Sequence, residues 1–392
     1  MHYDFDEVID RRGGHSAKYD EIVKKFGVQD IIPLWVADMD FRTAQPIVDA
    51  LADKARQGIF GYTSRPDTYF EAICDWQLER NGWMIDRSLI SFCTGVVPAL
   101  SVIVKRFSKK GDRILIQTPV YPEFEETILA WDRVPLNVPL TEKDGCYCVN
   151  FEKFEQALEK KPSLFILCSP HNPVGRVWER EELMRMCELC TRYGVPIVSD
   201  EIHSDLVLWG NKHIPTATLT PEIAANTITC ISGTKTFNLA GLQASAVVFP
   251  NREYKESFEK FWRNLDIMRN NSFSVVAMEA AFRHGGEWLE QLLRYLEGNF
   301  RFVHDYCARY IPAIKPNIPE STYLIWLDCR ALGMSDEELN AFMIQKARLG
   351  MNSGISFGSG GEGHMRLNAA CPRSVLEKAM KQLQAAVDSL CQ

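Results

Sequence analysis

Two ionisable residues follow apolar segments and could share one chemical site. Lys235 comes after the apolar run TITCIS (227–232), beside Ser232 and Thr234, whose hydroxyls could donate to an anion. An unpaired ammonium is costly to bury, whereas an amine bound to an aldehyde as an imine avoids that cost. Asp200 ends the apolar run VPIVSD, where a carboxylate favours a cationic partner. Taken singly, Lys235 is better explained as a solvated loop lysine, and Asp200 equally well as a turn cap.

An anion site is predicted at the start of TGVVPALSVIVKRF (94–107), which has a helical pattern. The backbone N–H groups of Gly95, Val96 and Val97 would face an anion at the positive end of this helix. Many helices begin this way, so the motif is weak by itself. The chain contains no Walker A sequence and no G-x-G-x-x-G, so nucleotide binding has no support.

Two further residues follow predicted strands. Asn172 lies between two prolines in SPHNPVGR (169–176), which fix the backbone and present the amide at a strand end. Tyr121, in TPVYPEF, could stack its ring on a planar ligand. For each residue alone, a turn former and a core aromatic are the simpler explanations.

The elements that would position these residues alternate along the middle of the chain. The predicted strands are DRILIQTP (112–119), SLFILCSP (163–170), VPIVSDE (195–201), TITCIS (227–232) and ASAVVFP (244–250). Amphipathic helical patterns at 150–160 and 180–194 lie between them. This order predicts an α/β fold with a mostly parallel sheet covered on both faces, whose functional residues act from the carboxyl ends of the strands.

The length of 392 residues suits two domains. After about residue 285 the pattern changes to a long helical stretch near 287–310, an apolar segment at 321–330 and a terminal helix from about Arg373. We therefore predict a large domain over 46–285, and a smaller α+β domain built from 1–45 together with 286–392.

Composition limits the partners. Lys and Arg total 44 and Asp and Glu total 51, giving a net charge of −7. With no basic run and no apolar run long enough for a bilayer, we expect neither a nucleic-acid nor a membrane partner. The N-terminal MHYDFDEVIDRR lacks the apolar core of a signal peptide, so the 12 cysteines predict free thiols in a cytoplasmic protein. Cys187 and Cys190 form a C-x-x-C without a second Cys or His pair, so no metal site is expected.

Taken together, the segments TGVVPA, TPVYPEF, SPHNPVGR, SDEIH, SGTK and HMRLN resemble those of the fold type I enzymes that use pyridoxal 5′-phosphate (PLP). More narrowly, these segments and the early PLWVADMDF (33–41) and GYTS (61–64) are similar to the MalY/PatB group, which contains cystathionine β-lyases and cystalysin-like C–S lyases. The resemblance covers nearly the whole chain with the motifs in order. It implies the aminotransferase-like fold with PLP as cofactor.

The resemblance assigns roles around the cofactor. Lys235 would hold PLP as a Schiff base, Asp200 would pair with the ring nitrogen, Asn172 would reach O3′ and Tyr121 would stack on the ring. Lys235, Tyr121 and Asp200 would be the catalytic residues. The remaining cofactor contacts would come from Gly95, Val96, Val97, Ser232, Thr234 and His203.

The resemblance also assigns residues beyond the cofactor. Tyr62 would reach the phosphate of the neighbouring subunit's cofactor, which implies a homodimer. Arg366, in HMRLN, would bind the α-carboxylate of an amino-acid substrate as a bidentate fork. Asn172 and the backbone near Val36 and Ala37 would assist Arg366.

Two positions depart from the usual aminotransferase pattern. His203 stands where aminotransferases usually carry a tyrosine, three residues after the aspartate, and Gln243 stands where many carry Arg or Lys. Both match the C–S lyase group better. The resemblance thus implies α,β-elimination of L-cystathionine, L-cysteine or S-substituted cysteines to pyruvate, ammonia and a thiol, with Lys235 as general base.

Three alternatives stay open. An aminotransferase on the same fold would share every cofactor residue. A lyase with an added transcription-regulatory binding role is suggested by one member of the resembling group. A nicotinamide dehydrogenase would explain the sheet, but it lacks the glycine fingerprint and gives no reason for Lys235 and Asp200 to act together.

Overall fold

The largest sheet of the fold has seven strands. The structure is a computed structural model that describes residues 1–143 and 145–390. The strands are β1 (Ile90–Cys93), β2 (Arg113–Ile116), β3 (Val134–Asn137), β4 (Leu164–Cys168), β5 (Ile197–Asp200), β6 (Thr227–Ile231) and β7 (Ser245–Val248).

The order across this sheet is β1-β7-β6-β5-β4-β2-β3. β2 to β6 pair in parallel, whereas β7 runs antiparallel to both β1 and β6. The five predicted strands and the mostly parallel sheet are confirmed. The sequence patterns left β1 and β3 unassigned, and Pro135 interrupts the apolar character of β3.

Both faces of the large sheet are buried along the central strands β4, β5 and β6, whose residues are near-continuously apolar. Along β4, Leu164 and Ile166 pack into one apolar cluster, whereas Phe165 and Leu167 pack into another. The helix Arg180–Tyr193 covers the second face and buries Cys187 in it. Cys187 and Cys190, the two cysteines of the C-x-x-C, are therefore core residues.

Fifteen α-helices surround the sheets in the described residues. They are Ala17–Asp20, Ile22–Phe26, Gln45–Arg56, Asp67–Asn81, Val96–Phe107, Glu123–Ala130, Phe151–Leu158, Arg180–Tyr193, Pro221–Ala224, Gly233–Thr236, Arg252–Asn264, Ser274–His284, Gly286–Tyr310, Asp336–Gln345 and Arg373–Asp388. Short 3-10 turns occur at Arg87–Leu89, Thr216–Thr218, Ala240–Leu242, Arg330–Leu332 and Gly354–Phe357. None of the helices described is long and apolar enough to cross a bilayer.

A second sheet of four strands forms from the C-terminal part of the chain. Its strands are β8 (Lys315–Pro316), β9 (Leu324–Asp328), β10 (Asn352–Ser353) and β11 (His364–Asn368), in the antiparallel order β8-β9-β11-β10. Two small pairs complete the strands: Ile32–Pro33 with Leu349–Gly350, and Thr141–Lys143 with Cys146–Cys148. The four-stranded sheet and the helix Gly286–Tyr310 lie in the predicted smaller domain, whose boundaries stay a prediction.

The turn at Gly175 joins the two sheets. Its carbonyl accepts the backbone N–H groups of Glu320 and Ser321 at 2.9 and 3.0 Å, and so ties the segment after β4 to the segment before β9. Gly175 has a φ of +72°, and a Cβ there would lie 2.5 Å from the Cβ of Pro319. Only glycine fits this position without strain.

We expect Gly175→Ala to destabilise the protein by roughly 2–4 kcal/mol, because it combines a left-handed backbone with a steric clash. Gly194→Ala is the matched control: Gly194 ends a helix with a φ of +68°, but its Cβ would meet nothing within 4 Å. That variant should lose only about 1 kcal/mol. Chemical unfolding of both variants measures the difference, and equal losses would contradict the role given to the turn.

Candidate active site

A cavity of about 200 Å³ opens at the carboxyl ends of β4 and β5 and the turn after β6. The structure brings most of the sequence-predicted residues to it. One part of the wall contains Ala37, Tyr121, Asn172, Asp200, His203 and Lys235. Another part contains Gly95, Val96, Val97 and Thr234. Their convergence follows from the sheet, because parallel strands end at one edge.

Four predicted residues lie outside the cavity wall. Ser232 caps the turn Gly233–Thr236, and its hydroxyl donates to the Ala244 carbonyl at 2.9 Å. The Val36 carbonyl is already bound by Asn368 at 2.7 Å, and Arg366 reaches the site through Asn172. Tyr62 is 97% exposed and does not line this chain's own cavity. The functional roles assigned to all these residues stay predictions.

Lys235 is part-buried on the short helix Gly233–Thr236, directly after β6. Its Nζ donates to the Ala37 carbonyl oxygen at 2.6 Å. Burial, reinforced by the nearby positive charge of Arg366, lowers the pKa of Lys235 to about 8, although Asp38 and Asp200 oppose the shift. A large fraction of this amine is therefore neutral near pH 8, as a nucleophile or general base requires.

Asp200 ends β5, between Cys168 of β4 and Cys230 of β6. Its side chain is buried, with an exposure of 5%, and Oδ1 accepts the backbone N–H of Ile202 at 3.2 Å. No ion pair to it forms among residues 1–143 and 145–390. Burial raises the pKa of Asp200 to about 7. A cationic ligand beside this buried carboxyl group would stabilise its ionised form.

Arg366 and Asn172 form a polar pair beside the cavity. The buried guanidinium of Arg366 donates to Asn172 Oδ1 at 3.2 Å, the Trp35 carbonyl at 3.0 Å and Asn352 Oδ1 at 3.0 Å, and it lies 4.9 Å from the ring centre of Phe357. All of these partners are neutral, and its Nε has no partner within the described part of the chain. Burial lowers the pKa of Arg366 to about 10. Such an arginine is suited to receive a ligand carboxylate.

His203 contributes a neutral ring. Burial, together with the positive charges of Lys235 and Arg366, lowers the pKa of His203 to about 3. Its Nδ1 has no partner among the described residues, and its ring meets that of Tyr323 edge-on at 6.2 Å. This imidazole can donate or accept one hydrogen bond in the cavity without carrying charge.

The end of the cavity that is predicted to bind an anion is formed by the start of the helix Val96–Phe107, with Gly95 at the cap. Sequence reasoning missed Ser245 at this end. It lines the cavity, is buried, and its hydroxyl has no partner in the described chain. Gln243 also lines the cavity, with a φ of +54°. Ser245 opens a predicted strand, so its position after a strand-initiating turn was the available signal.

Tyr323, Asn352 and Asn368 were also missed. Tyr323 donates through its hydroxyl to the Ala37 carbonyl at 2.8 Å, and Asn368 donates to the carbonyls of Val36 and Asp38. Tyr323 adjoins β9, and Asn352 and Asn368 lie on strands of the second sheet, far along the chain from their partners. Asn368 belongs to HMRLN, the one local motif that pointed to this group.

Comparison with known proteins agrees with this geometry. The family model for aminotransferase class I and II matches residues 29–383, so the chain belongs to that family. Cystathionine β-lyase PatB of Bacillus subtilis is 43% identical over 98% of this chain and 99% of its own. Protein MalY of Escherichia coli is 34% identical over 98% and 99%, respectively. The crystal structure of cystalysin from Treponema denticola, which contains PLP, superposes with a TM-score of 0.97 at 34% identity over the full length of both chains.

The buried state of Asp200 predicts a pH effect on the ligand-free protein. Folding raises the pKa of Asp200 to about 7, so ionisation of its carboxyl destabilises the folded protein. This destabilisation grows as the pH rises from about 4 to about 7. Asp200→Asn removes this effect. As the pH rises from 4 to 8, we expect the free energy of unfolding of the variant to increase by on the order of 2–4 kcal/mol relative to that of the parent.

Asp112→Asn gives a control of opposite sign, because hydrogen bonds from Ser163 and the Lys109 N–H lower the pKa of Asp112. This variant should lose stability relative to the parent as the pH rises. Chemical unfolding at a series of pH values measures both differences. Parallel pH profiles for Asp200→Asn and the parent would contradict the buried-carboxylate account.

Proposed function

We propose that this protein is a PLP-dependent carbon–sulfur β-lyase. It acts on L-cystathionine, L-cysteine or S-substituted cysteines by α,β-elimination and releases pyruvate, ammonia and a thiol. The observation that carries the proposal is one cavity lined by Lys235 and Asp200, beside which Arg366 is hydrogen-bonded to the lining residue Asn172. The chain is also similar over its full length to proteins named cystathionine β-lyase and cystalysin.

The residues at the cavity fit PLP. Lys235 supplies the amine for its aldehyde, and Asp200 supplies a buried carboxylate without a cationic partner in the described chain. Backbone N–H groups at Gly95, Val96 and Val97 would hold the phosphate, with Thr234 and Ser232 nearby. Asn172 uses Oδ1 for Arg366, which leaves its Nδ2 to donate to the ring oxygen. When bound, PLP supplies an electron sink for the electrons of the substrate Cα–H bond.

Substrate orientation would come from Arg366. Its three neutral acceptors fix the guanidinium plane, while a substrate carboxylate would provide the missing negative charge. This contact would direct the Cα–H bond of the amino acid toward Lys235. The amine of Lys235, with its pKa lowered to about 8, would take the Cα proton as general base.

The bond changes balance for a thioether or thiol substrate. The Cα proton goes to Lys235, the Cβ–S bond breaks, and sulfur departs with its electron pair as a thiolate that then takes a proton. The unsaturated amino acid left behind adds water and loses ammonia to give pyruvate. A thiol has an ordinary pKa of about 8.5, so its thiolate leaves far more readily than an alkoxide.

A homodimer forms part of the proposal. Tyr62 is 97% exposed and Phe60 is 57% exposed, and Ile59, Leu265 and Ile267 add further exposed apolar side chains. Such exposure is typical of an interface. The partner subunit would cover this surface, and Tyr62 would reach the phosphate in the partner's cavity. The free cysteines of the described chain fit a reducing, cytoplasmic location.

The first test measures pyruvate, ammonia and free thiol from L-cystathionine, with PLP present and no keto acid. We expect the three products in equal amounts, and a loss of at least about a thousandfold in kcat for Lys235→Ala, because the variant lacks both the cofactor amine and the base. Strict dependence on an added keto acid, with amino-group transfer to it, would instead establish an aminotransferase.

The second test concerns Tyr62. Lys235→Ala and Tyr62→Ala chains, each impaired alone, are mixed, unfolded and refolded together. A hybrid dimer would regain one complete site, because the intact Lys235 and the intact Tyr62 meet across the interface. We expect lyase activity to rise well above that of either variant refolded alone, and an absence of recovery would contradict the shared site.

A further inference from the structure

The amine of Lys235 meets a backbone carbonyl that has a second donor. The Ala37 oxygen accepts from Lys235 Nζ at 2.6 Å and from the hydroxyl of Tyr323 at 2.8 Å. A carbonyl oxygen has two lone pairs, so the phenol and the amine can occupy one each. Tyr323 is buried, with an exposure of 1%, and burial raises the pKa of its hydroxyl, which therefore stays a donor.

The segment that carries Ala37 is anchored by a buried cluster of charges. The carboxylate of Asp40 accepts from Lys18 Nζ at 2.8 Å, from Arg11 at 2.7 Å and from the Tyr19 hydroxyl at 3.1 Å. Lys18 is fully buried, so its ammonium depends on this pairing. The cluster fixes the chain three residues beyond Ala37.

We propose that Tyr323 and the buried Lys18–Asp40 pair are positioning residues that aim the Ala37 carbonyl at the amine of Lys235. The carbonyl then holds the free amine in the place from which it takes the substrate proton. This inference rests on the proposed function for its catalytic consequence. The predicted effect on the position and pKa of the Lys235 amine also applies to the protein without cofactor.

Position matters because proton transfer requires the base within hydrogen-bond reach of the proton. A lysine side chain has a flexible stem of four carbons, and a hydrogen bond from Nζ to one fixed acceptor removes much of its conformational freedom. The other charged groups near the amine are Arg366, Asp38 and Asp200. Only the Ala37 oxygen accepts a hydrogen bond from Nζ among the described residues.

The decisive variant is Tyr323→Phe, which removes one hydroxyl and keeps the ring. Tyr306→Phe is its matched control, since the Tyr306 hydroxyl donates to Gln384 at 2.7 Å, between two helices that do not line the cavity. We expect Tyr323→Phe to lower kcat for thiol release about tenfold with KM within about twofold, because misplacing a base weakens proton transfer more than binding.

A second readout needs no turnover. The rate at which the cofactor-free protein forms its covalent bond with added PLP, measured against pH, reports the pKa of Lys235, since only the neutral amine reacts. The Ala37 oxygen stabilises the charged amine, so a poorly aimed carbonyl should lower this pKa by about half a unit or more. Lys18→Met should shift the profile in the same direction through Asp40, and Lys18→Arg should restore it in part.

The proposal is overturned if Tyr323→Phe matches Tyr306→Phe in both kcat and the pH profile of PLP attachment. Should Lys18→Met fail to fold, the two tyrosine variants still decide the outcome. Absence of lyase activity in the parent protein would count against the proposed function, whereas the pH profile of the cofactor-free protein would still test the positioning role separately.

Discussion

The constraint on which this site depends is the burial of charges that lack opposite partners. Asp200 and Arg366 are almost fully enclosed, yet neither forms an ion pair within the part of the chain that the structure describes, and the amine of Lys235 meets only a carbonyl. Burial of unpaired charge is costly, and the pKa of each group shifts toward its neutral form. PLP and an amino-acid substrate carry a complementary group for each of them. The cofactor has an aldehyde for Lys235 and a ring nitrogen for Asp200, and the substrate has a carboxylate for Arg366.

The fold meets this constraint with two sheets. Asp200 ends β5 and Lys235 follows the adjacent β6 on a short helix, and parallel pairing of these strands brings their ends together. Arg366 comes from β11 of the second sheet and is brought to the cavity by Asn172, which follows β4. The turn at Gly175 joins the same two regions through backbone hydrogen bonds. Relative placement of Lys235 and Arg366 therefore depends on contacts between the sheets as well as on each strand.

The sequence predicted the parts that follow from local pattern. Apolar runs located β2, β4, β5, β6 and β7, and the parallel order then placed Asp200, Asn172 and Lys235 at one edge. Tyr323 and Lys18 were missed because their partners lie far away: Tyr323 meets Ala37 across 286 positions, and a buried lysine looks like any helical lysine until its carboxylate is known. Ser245 was missed because its one signal, a serine at the start of a strand, is too common to single it out. The domain boundaries rest on the change of pattern near residue 285 and the individual roles rest on the resemblance, and both stay predictions.

The central claim is that Lys235 holds PLP. Borohydride reduction of the PLP-loaded protein fixes the cofactor permanently to whichever amine carries it, and mass spectrometry of the digested protein locates that residue. The account predicts a single pyridoxyl group on Lys235, in the peptide that follows β6. A pyridoxyl group on another lysine, or none at all after loading at saturating PLP, would contradict it.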